Sequence, residues 1–233
     1  MRLVLSIEST IIVNGLVFFE LMKYKNIIFD LGNVLVRLDS QACMNAFRAI
    51  GMGRLVDMES CPEGKLLMAK LGVGMITTEV FCDEARQLTG STASDEQIKD
   101  AANKMLVEIP DEKKLRLLAL RDKGYRLFLL SNTIDIHWDY CVEHLFPLEL
   151  AAGDGQYKKY GVEDFFENVF LSQRIHLSKP DAKIYQAVID NTGIIPNETF
   201  FIDDLKENCE AAEKLGIHTF QNKEFDDWLG LEL

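Results

Sequence analysis

Short apolar runs alternate with helical patterns along most of this 233-residue chain, and this alternation restricts the possible folds more than any other feature. Strand-like runs lie at 26–29, 125–130, 169–171, 199–202 and 217–220. Helical patterns lie between them at 111–123, 181–191 and 206–215, each followed by a glycine that can end a helix. Such alternation is typical of a mostly parallel sheet covered by helices. The chain is therefore predicted to be an α/β protein.

About ninety residues separate the first two strand-like runs, far more than one crossover helix requires. The stretch has helical character throughout. Ser40 is placed to cap one helix, and Ser94 with Gln97 forms a capping-box pattern at the start of another. We interpret 38–109 as a small all-helical domain inserted above the sheet, and 22–37 together with 110–233 as the sheet domain.

Residues 1–21 do not fit this scheme. Their apolar run at 11–19 is interrupted by a polar residue and is too short to span a bilayer. They also lack the basic start and the small-residue cleavage site of a secretory signal. We interpret 1–21 as an N-terminal extension, either a start misassigned ahead of Met22 or a peripheral appendage. No membrane partner is expected.

Charge and cysteine usage exclude several classes of function. The formal net charge of −12 argues against nucleic-acid binding, because phosphate backbones require a basic surface. The five cysteines are scattered and show no CxxC or Cys/His spacing, so neither a disulfide framework nor a structural zinc site is expected. A cytoplasmic location fits these free thiols best.

Polar residues stand where the strand-like runs end. The positions concerned are Asp30, Ser131, Asn132, Asp203 and Asp204. Lys179 stands just before the helical pattern at 181–191. Ligands of open parallel sheets bind beyond the carboxyl ends of the strands, so we expect all of these side chains to meet at one edge.

Each of these residues also has an ordinary structural explanation. Asp30 is compatible with a turn that ends a strand, Ser131 with a helix cap, and Lys179 with a solvated surface lysine. Their coincidence at the same end of four elements favours a shared site.

Four ordered segments carry a family resemblance. They read Ile-Ile-Phe-Asp-Leu-Gly-Asn-Val-Leu at 27–35, Leu-Leu-Ser-Asn-Thr at 129–133, Ser-Lys-Pro at 178–180 and Phe-Ile-Asp-Asp at 201–204. They resemble the four motifs of the haloacid dehalogenase (HAD) superfamily, and the resemblance covers nearly the whole chain. It implies a Rossmann-like parallel core, and it makes the inserted helices similar to the type-one cap of that family. The Asp-Leu-Gly-Asn, Leu-Ser-Gln and Lys-Pro-Asp stretches most resemble bacterial sugar phosphatases of the α-D-glucose-1-phosphatase type.

This resemblance implies a hydrolase of phosphoric monoesters whose partner is a small-molecule phosphate ester, in particular a sugar phosphate. Asp30 would attack phosphorus and form an aspartyl-phosphate. Mg²⁺ would be held by the carboxylates of Asp30 and Asp204 and by the backbone carbonyl of Gly32. A hard divalent cation suits this site, because it offsets the repulsion between clustered carboxylates and a phosphate. The protein is expected to be a monomer or a homodimer.

The remaining motif residues receive supporting roles in this scheme. Asp203 would stand behind the ion or reach it through water, and Asn208 would orient it. Ser131 and the backbone of Asn132 would donate hydrogen bonds to phosphoryl oxygens. Lys179 would place a positive charge between the nucleophile and the phosphate.

Gly32 departs from the pattern of many family phosphatases, which carry a second Asp at this position as the general acid for the leaving group. General acid–base catalysis contributes about 10²–10⁴ in rate, so the loss requires a substitute. A good leaving group, a metal-bound water, or a group supplied by the inserted helices would each meet that need.

Two further expectations concern surfaces. The segment 153–160 is predicted to be a loop near the rim of the core, with Lys158 and Lys159 as ordinary surface charges. The helix at 111–123 is predicted to bury Leu115, Leu118 and Ala119.

Three alternative functions stay open. A 2-haloacid dehalogenase also uses an Asp nucleophile and lacks the second Asp, but it needs no metal and has no use for the adjacent acids Asp203 and Asp204. A phosphomutase keeps the general acid that Gly32 removes. A non-catalytic phosphate-binding protein of the same fold would retain the pocket without turnover.

Overall fold

The computed structural model describes residues 24–57, 61–153 and 155–233, and the backbone of 6–7, 10–13 and 16–19. The predicted N-terminal extension at 1–21 therefore lies outside the described residues, apart from those three short segments. In the described part of the chain, no helix is both long and apolar enough to cross a bilayer.

The strands follow one another along most of the chain. In chain order they are β1 (Ser6–Ile7), β2 (Thr10–Val13), β3 (Leu16–Phe19), β4 (Asn26–Phe29), β5 (Arg37–Leu38), β6 (Leu106–Glu108), β7 (Arg126–Ser131), β8 (Leu148–Gly153), β9 (Gln156–Tyr160), β10 (Asn168–Leu171), β11 (Thr199–Asp203) and β12 (His218–Gln221).

The helices fall into two groups, one before β6 and one after it. The first comprises α1 (Ser40–Ala49), α2 (Gly53–Val56), α3 (Pro62–Gly72), α4 (Thr78–Thr89) and α5 (Asp95–Asn103). The second comprises α6 (Asp111–Asp122), α7 (Asp135–Tyr140), α8 (Val162–Phe165), α9 (Ser172–Ile175), α10 (Ala182–Thr192) and α11 (Lys206–Glu213).

The central sheet has five strands in the order β10-β7-β4-β11-β12, and all of its pairings are parallel. Successive residues along β4 point to opposite faces, so Ile27 and Phe29 join one apolar cluster and Ile28 joins another. β4 and β11 are buried along their full length, because helices cover both faces of the sheet. This is the predicted α/β, Rossmann-like core.

Helices α1–α5 enclose an apolar cluster of their own, which also includes Ile134 and Ile136 from the segment after β7. The capping box expected at Ser94 and Gln97 is present at the start of α5. The insertion is not helical throughout, however. β5 and β6 pair antiparallel at its two ends, where the chain leaves the sheet and returns to it. The domain limits of 38 and 109 remain predictions.

The structure corrects three local predictions. Asp39, and not Ser40, caps α1, because its carboxylate accepts from the Ala42 backbone N–H. The segment 153–160 is not a loop, since β8 and β9 pair antiparallel as a hairpin. Helix α6 buries Leu117 and Leu120, whereas Leu115 is 44% exposed.

The predicted inward face of α6 was wrong because the helix also buries two lysines, Lys113 and Lys114. Their ammonium groups donate to backbone carbonyls, and their alkyl stems pack like apolar side chains. A hydrophobicity pattern assigns such residues to the solvent face. All five cysteines are free and buried.

Candidate active site

Three adjacent strands of the sheet end at the same edge and place the motif residues there. Ile202 of β11 pairs with Phe29 of β4, and the backbone N–H of Asp30 donates to the Ile202 carbonyl at 2.9 Å. On the other side of β4, Phe29 pairs with Leu129, two residues before the end of β7. Asp30 therefore lies between the end of β7 and the end of β11, as parallel pairing requires.

The Lys179 ammonium group connects these strands. Its Nζ lies 2.7 Å from Asp30 Oδ1 and 2.6 Å from Asp203 Oδ2, and it also donates to the Leu130 carbonyl at 3.0 Å. The Lys179 side chain is only 1% exposed. A buried ammonium is stable when its donors are satisfied by opposite charges, and here two carboxylates and a carbonyl accept from it.

Asp203 is fully buried, and both of its carboxylate oxygens have partners. Oδ2 accepts from Lys179, while Oδ1 accepts from the Leu205 backbone N–H and from Asn208 Nδ2, each at 2.9 Å. Asn208 lies in the first turn of α11, so this helix fixes the orientation of Asp203. The carboxylate is thus occupied by protein donors on both sides.

Asp204 presents its carboxylate next to that of Asp30. One oxygen from each of Asp30, Asp203 and Asp204 lies within 4.8 Å of the others. Asn33 Nδ2 donates to Asp204 Oδ2 at 3.1 Å. Asn33 adopts a left-handed backbone conformation with φ of 52°, which Asn tolerates better than most residues.

Burial and the neighbouring charges shift the pKa values of the groups in this cluster. Burial raises the pKa of Asp30 to about 7, with Lys179 opposing the shift and Asp203 adding to it. Burial also raises the pKa of Asp204. Burial disfavours the charged form of Lys179, but Asp30 and Asp203 outweigh it and raise the pKa of that lysine. Three carboxylates against one ammonium leave the cluster short of positive charge, so this donor set fits a divalent cation.

Asn132 holds the backbone of Lys179 in place. Its Nδ2 donates to the Lys179 carbonyl at 2.8 Å, and its Oδ1 accepts from the Lys179 backbone N–H at 2.9 Å. The side chain is therefore engaged by protein, which leaves the backbone of Asn132 as the part able to meet a ligand. Ser131 ends β7 and is 2% exposed.

A cavity of about 180 Å³ opens at this edge. It is lined by Asp30, Gly32, Leu38, Asn132, Lys179, Asp204, Leu205 and Asn208. Ser131 is not among these residues. Larger clefts exist elsewhere in the described chain, but they lack the carboxylate and lysine cluster.

The space beside Gly32 is occupied by Leu38. A Cβ atom at position 32 would lie 2.9 Å from Leu38 Cδ1, closer than real Cβ contacts. Leu38 thus occupies the space that a side chain at position 32 would enter. The contact is with the end of a flexible side chain, so a larger residue would require Leu38 to move.

Sequence reasoning assigned no role to Asn33, Leu38 or Leu205. Asn33 could have been noticed, because Asn is frequent in turns and tolerates the left-handed conformation. Leu38 and Leu205 look like ordinary apolar residues. Only the tertiary structure shows that these two leucines line the cavity.

Known proteins resemble this chain in sequence and in fold. A family model described as haloacid dehalogenase-like hydrolase matches residues 153–221. The D-ribitol-5-phosphate phosphatase of Bacteroides thetaiotaomicron is 28% identical over 204 residues, which cover 88% of this chain and 94% of that protein.

Two solved structures extend the comparison. A HAD family enzyme from Bacteroides thetaiotaomicron, in complex with magnesium and inorganic phosphate, is 39% identical, with a TM-score of 0.76 and coverage of 85% of this chain and 93% of that chain. A protein described as a predicted HAD-like family hydrolase, from Porphyromonas gingivalis, is 34% identical, with a TM-score of 0.74 and coverage of 89% and 95%. The similarity therefore extends over most of this chain.

Proposed function

Because the chain belongs to the haloacid dehalogenase-like hydrolase family, we propose that it is a Mg²⁺-dependent phosphatase of a small phosphate monoester. The observation that carries this proposal is the buried cluster in which Lys179 contacts Asp30 and Asp203 while Asp204 lies alongside. The names of its relatives support it, since one is a sugar-alcohol phosphate phosphatase and another holds magnesium and phosphate.

Asp30 is the proposed nucleophile. A carboxylate oxygen of Asp30 forms a bond to phosphorus while the bond between phosphorus and the ester oxygen breaks, and the departing alkoxide takes up a proton. Water then attacks the aspartyl-phosphate at phosphorus, which restores the carboxylate and releases inorganic phosphate. Lys179 fixes the orientation of Asp30 through the 2.7 Å contact and keeps positive charge next to the incoming phosphoryl group.

The metal position follows from which oxygens remain available. Both oxygens of Asp203 are engaged by protein donors, so it supports Lys179 and stands behind the metal. The carboxylates of Asp30 and Asp204, with the backbone carbonyl of Gly32, would hold Mg²⁺. When bound, Mg²⁺ neutralises negative charge on the carboxylates and the phosphoryl oxygens.

Ser131 and the backbone N–H of Asn132 are the proposed donors to the phosphoryl oxygens. Ser131 ends the strand beside Asp30, and the Asn132 side chain keeps Lys179 in register with them. This arrangement binds the phosphoryl group without contacting the rest of the substrate. Specificity must therefore come from elsewhere, and the inserted helices above the site are the proposed source.

A sugar phosphate or sugar-alcohol phosphate is the proposed substrate. The support is the relative that is named for D-ribitol 5-phosphate. Among the described residues that line the cavity, the carboxylic acids are Asp30 and Asp204, and both have other roles. The proton for the leaving oxygen is therefore proposed to come from solvent or from a group that contacts the rest of the substrate.

The dehalogenase alternative is disfavoured by Asp204. A metal-free displacement of halide gains nothing from a third carboxylate within 4.8 Å of Asp30. Repulsion between the two would only hinder the nucleophile. A chelator distinguishes the two reactions, since only the phosphatase depends on the ion.

The test is a panel of sugar, sugar-alcohol and nucleoside phosphates, assayed with Mg²⁺ and with excess chelator. Turnover is expected with Mg²⁺ and is expected to vanish with chelator and in Asp30→Asn. Asp190→Asn is the matched control, because Asp190 is exposed on α10, where its carboxylate accepts from Gln186. Undiminished turnover in Asp30→Asn would refute the nucleophile assignment, and undiminished turnover in chelator would refute the metal.

The covalent intermediate has its own test. Two successive in-line displacements invert phosphorus twice, so a chirally labelled phosphate ester should transfer its phosphoryl group to an acceptor alcohol with net retention. Net inversion would show a single displacement by the acceptor and would refute the aspartyl-phosphate intermediate.

A further inference from the structure

The segment 221–228, which begins at the last residue of β12 and is called here the C-terminal clamp, contacts the backbone of both acids at the end of β11. Gln221 Nε2 donates to the Asp204 carbonyl at 3.1 Å. The Asn222 backbone N–H donates to the Asp203 carbonyl at 2.9 Å. The clamp therefore holds the backbone of the Asp203–Asp204 pair through residues that do not line the cavity.

Asn222 also reaches the loop that carries the other half of the proposed metal site. Its Nδ2 donates to the Asn33 carbonyl at 2.9 Å. Its Oδ1 accepts from the Trp228 backbone N–H at 3.0 Å, which fixes the orientation of the amide so that Nδ2 must face Asn33. Asn222 is 1% exposed, so solvent cannot replace these bonds readily.

The connection continues from Asn33 to the metal site itself. Asn33 follows Gly32, whose carbonyl is a proposed ligand, and its own side chain donates to Asp204 Oδ2. Its backbone N–H donates to the Val36 carbonyl at 2.8 Å, which closes the turn. A shift of the Asn33 carbonyl would therefore move the Gly32 carbonyl and release Asp204 together.

Trp228 secures the next residue of the same loop. Its indole N–H donates to the Val34 carbonyl at 2.9 Å. Its ring packs edge-on against Phe29, the residue before Asp30, with ring centroids 5.0 Å apart. Trp228 is fully buried, so the clamp is part of the packed core.

We infer that Asn222 is a positioning residue for the Mg²⁺ site, joining the Gly32–Asn33 turn to the Asp203–Asp204 pair. This inference rests on the proposed function, because it assumes that the carboxylates of Asp30 and Asp204 and the Gly32 carbonyl would hold Mg²⁺. Asn222 lies outside the residues that line the cavity, and it acts through Asn33 and the backbone of Asp203. Groups that orient metal ligands commonly change metal affinity by about 10–100-fold when they are removed.

The test measures Mg²⁺ binding alone by titration calorimetry, with thermal unfolding recorded in parallel. Asn222→Ala is expected to raise the Kd for Mg²⁺ by about 10–100-fold. Asn26→Ala is the matched control. Asn26 is also a buried asparagine, and it donates to Thr199 Oγ1 at 3.2 Å at the opposite end of β4 and β11. Its loss should lower the Tm and leave the Kd for Mg²⁺ within about twofold.

A second variant covers the case in which Asn222→Ala does not fold. Trp228→Phe keeps an aromatic ring against Phe29 but removes the indole N–H, and it should raise the Kd for Mg²⁺ by about three- to tenfold. An unchanged Kd in the folded variant, or an equal change in Asn26→Ala, would overturn the inference. If the wild-type protein bound no Mg²⁺, both the proposed function and this inference would be wrong. If the wild-type protein bound Mg²⁺ and the variants bound it equally well, only the inference about Asn222 would be wrong.

Discussion

Lys179 and Lys113 are both buried lysines, but their surroundings shift the pKa values of the two ammonium groups in opposite directions. Lys179 lies within 2.7 Å of two buried carboxylates, which outweigh the effect of burial and raise its pKa. Lys113 donates to the carbonyls of Val34 and Phe225, and its nearest carboxylate, that of Asp226, lies 3.4 Å away and is 61% exposed. Burial lowers the pKa of Lys113 to about 8.

The difference separates a site from a structural contact. Lys179 donates to carboxylates, which favour its charged form and place it in the proposed active site, whereas Lys113 donates mainly to backbone carbonyls and connects segments of the chain. The Lys113 ammonium also lies 3.2 Å from the centre of the Phe225 ring, a cation–π contact that favours its charged form. Burial alone therefore does not single out a candidate functional lysine, and the groups that it contacts must also be considered.

The largest effect is expected from Lys179→Met. Removal of the ammonium should lower kcat by about 10²–10³-fold, because the charge next to the phosphoryl group is lost and Asp30 is no longer held. Lys113→Met removes an equally buried ammonium outside the cluster and should lower kcat by less than about tenfold. Steady-state kinetics on folded protein, verified by circular dichroism, provides the measurement. Equal decreases in kcat in the two variants would show that the two lysines do not differ in their importance for catalysis.

The next effect is a pH dependence of stability that Lys113 produces. Its pKa falls from 10.5 in the unfolded chain to about 8 in the folded one, so between these values the unfolded state binds more protons. Folding stability contributed by this group should therefore rise with pH from about 8 to about 10.5, by at most about 3 kcal/mol.

The contribution is isolated by comparison with Lys113→Met. Denaturant unfolding of both proteins at several pH values gives the difference in free energy of unfolding, in which the other titrating groups cancel. The wild-type protein should gain stability relative to the variant as pH increases through this window. A flat difference would show that the folded state leaves the pKa of Lys113 unchanged.

Stabilisation by Mg²⁺ provides a third contrast, between Asp204 of the proposed site and Asp226 beside Lys113. At a Mg²⁺ concentration of about 100 times Kd, binding should stabilise the wild-type protein by about 2.7 kcal/mol. Asp204→Asn should lose most of this gain, whereas Asp226→Asn should keep it. Unfolding curves with Mg²⁺ and with chelator measure the effect, and a similar gain in Asp204→Asn would remove Asp204 from the metal site.

The smallest effect concerns Asp226→Asn at neutral pH. Its carboxylate is largely exposed, so its pairing with Lys113 should contribute less than about 1 kcal/mol to stability. Loss of this charge should also lower the pKa of Lys113 further and shift the start of the pH-dependent rise downward. A loss of several kcal/mol in equilibrium unfolding would mean that Lys113 depends on Asp226 as Lys179 depends on Asp30.

Much of the site could be predicted from the sequence, because parallel strands of a sheet bring their carboxyl ends to one edge. Asp30 and Asp203 were expected to meet on that ground, and their carboxylates lie together. Lys179 was expected there from its position just before the helical pattern at 181–191, and the resemblance to the family motifs supported that expectation. The roles of these residues stay predictions until the variants are measured.

Other parts could not be predicted, since they depend on contacts between distant segments. Helix α6 carries leucines on more than one face, so its pattern did not reveal that Leu117 is buried and Leu115 is exposed. The β8–β9 hairpin is different, because the Asp-Gly dipeptide at 154–155 is a local signal for a hairpin turn that could have been recognised in the sequence.

By itself the sequence determined the alternation of strands and helices, the edge at which Asp30, Lys179 and Asp204 gather, and the shortage of positive charge there. Those features follow from local patterning and from the direction of parallel strands. Only the tertiary structure decided that Lys179 bridges Asp30 and Asp203, that Leu38 fills the space beside Gly32, and that the clamp around Asn222 joins both halves of the site. These contacts connect residues far apart in the chain, and only packing specifies which distant groups become neighbours.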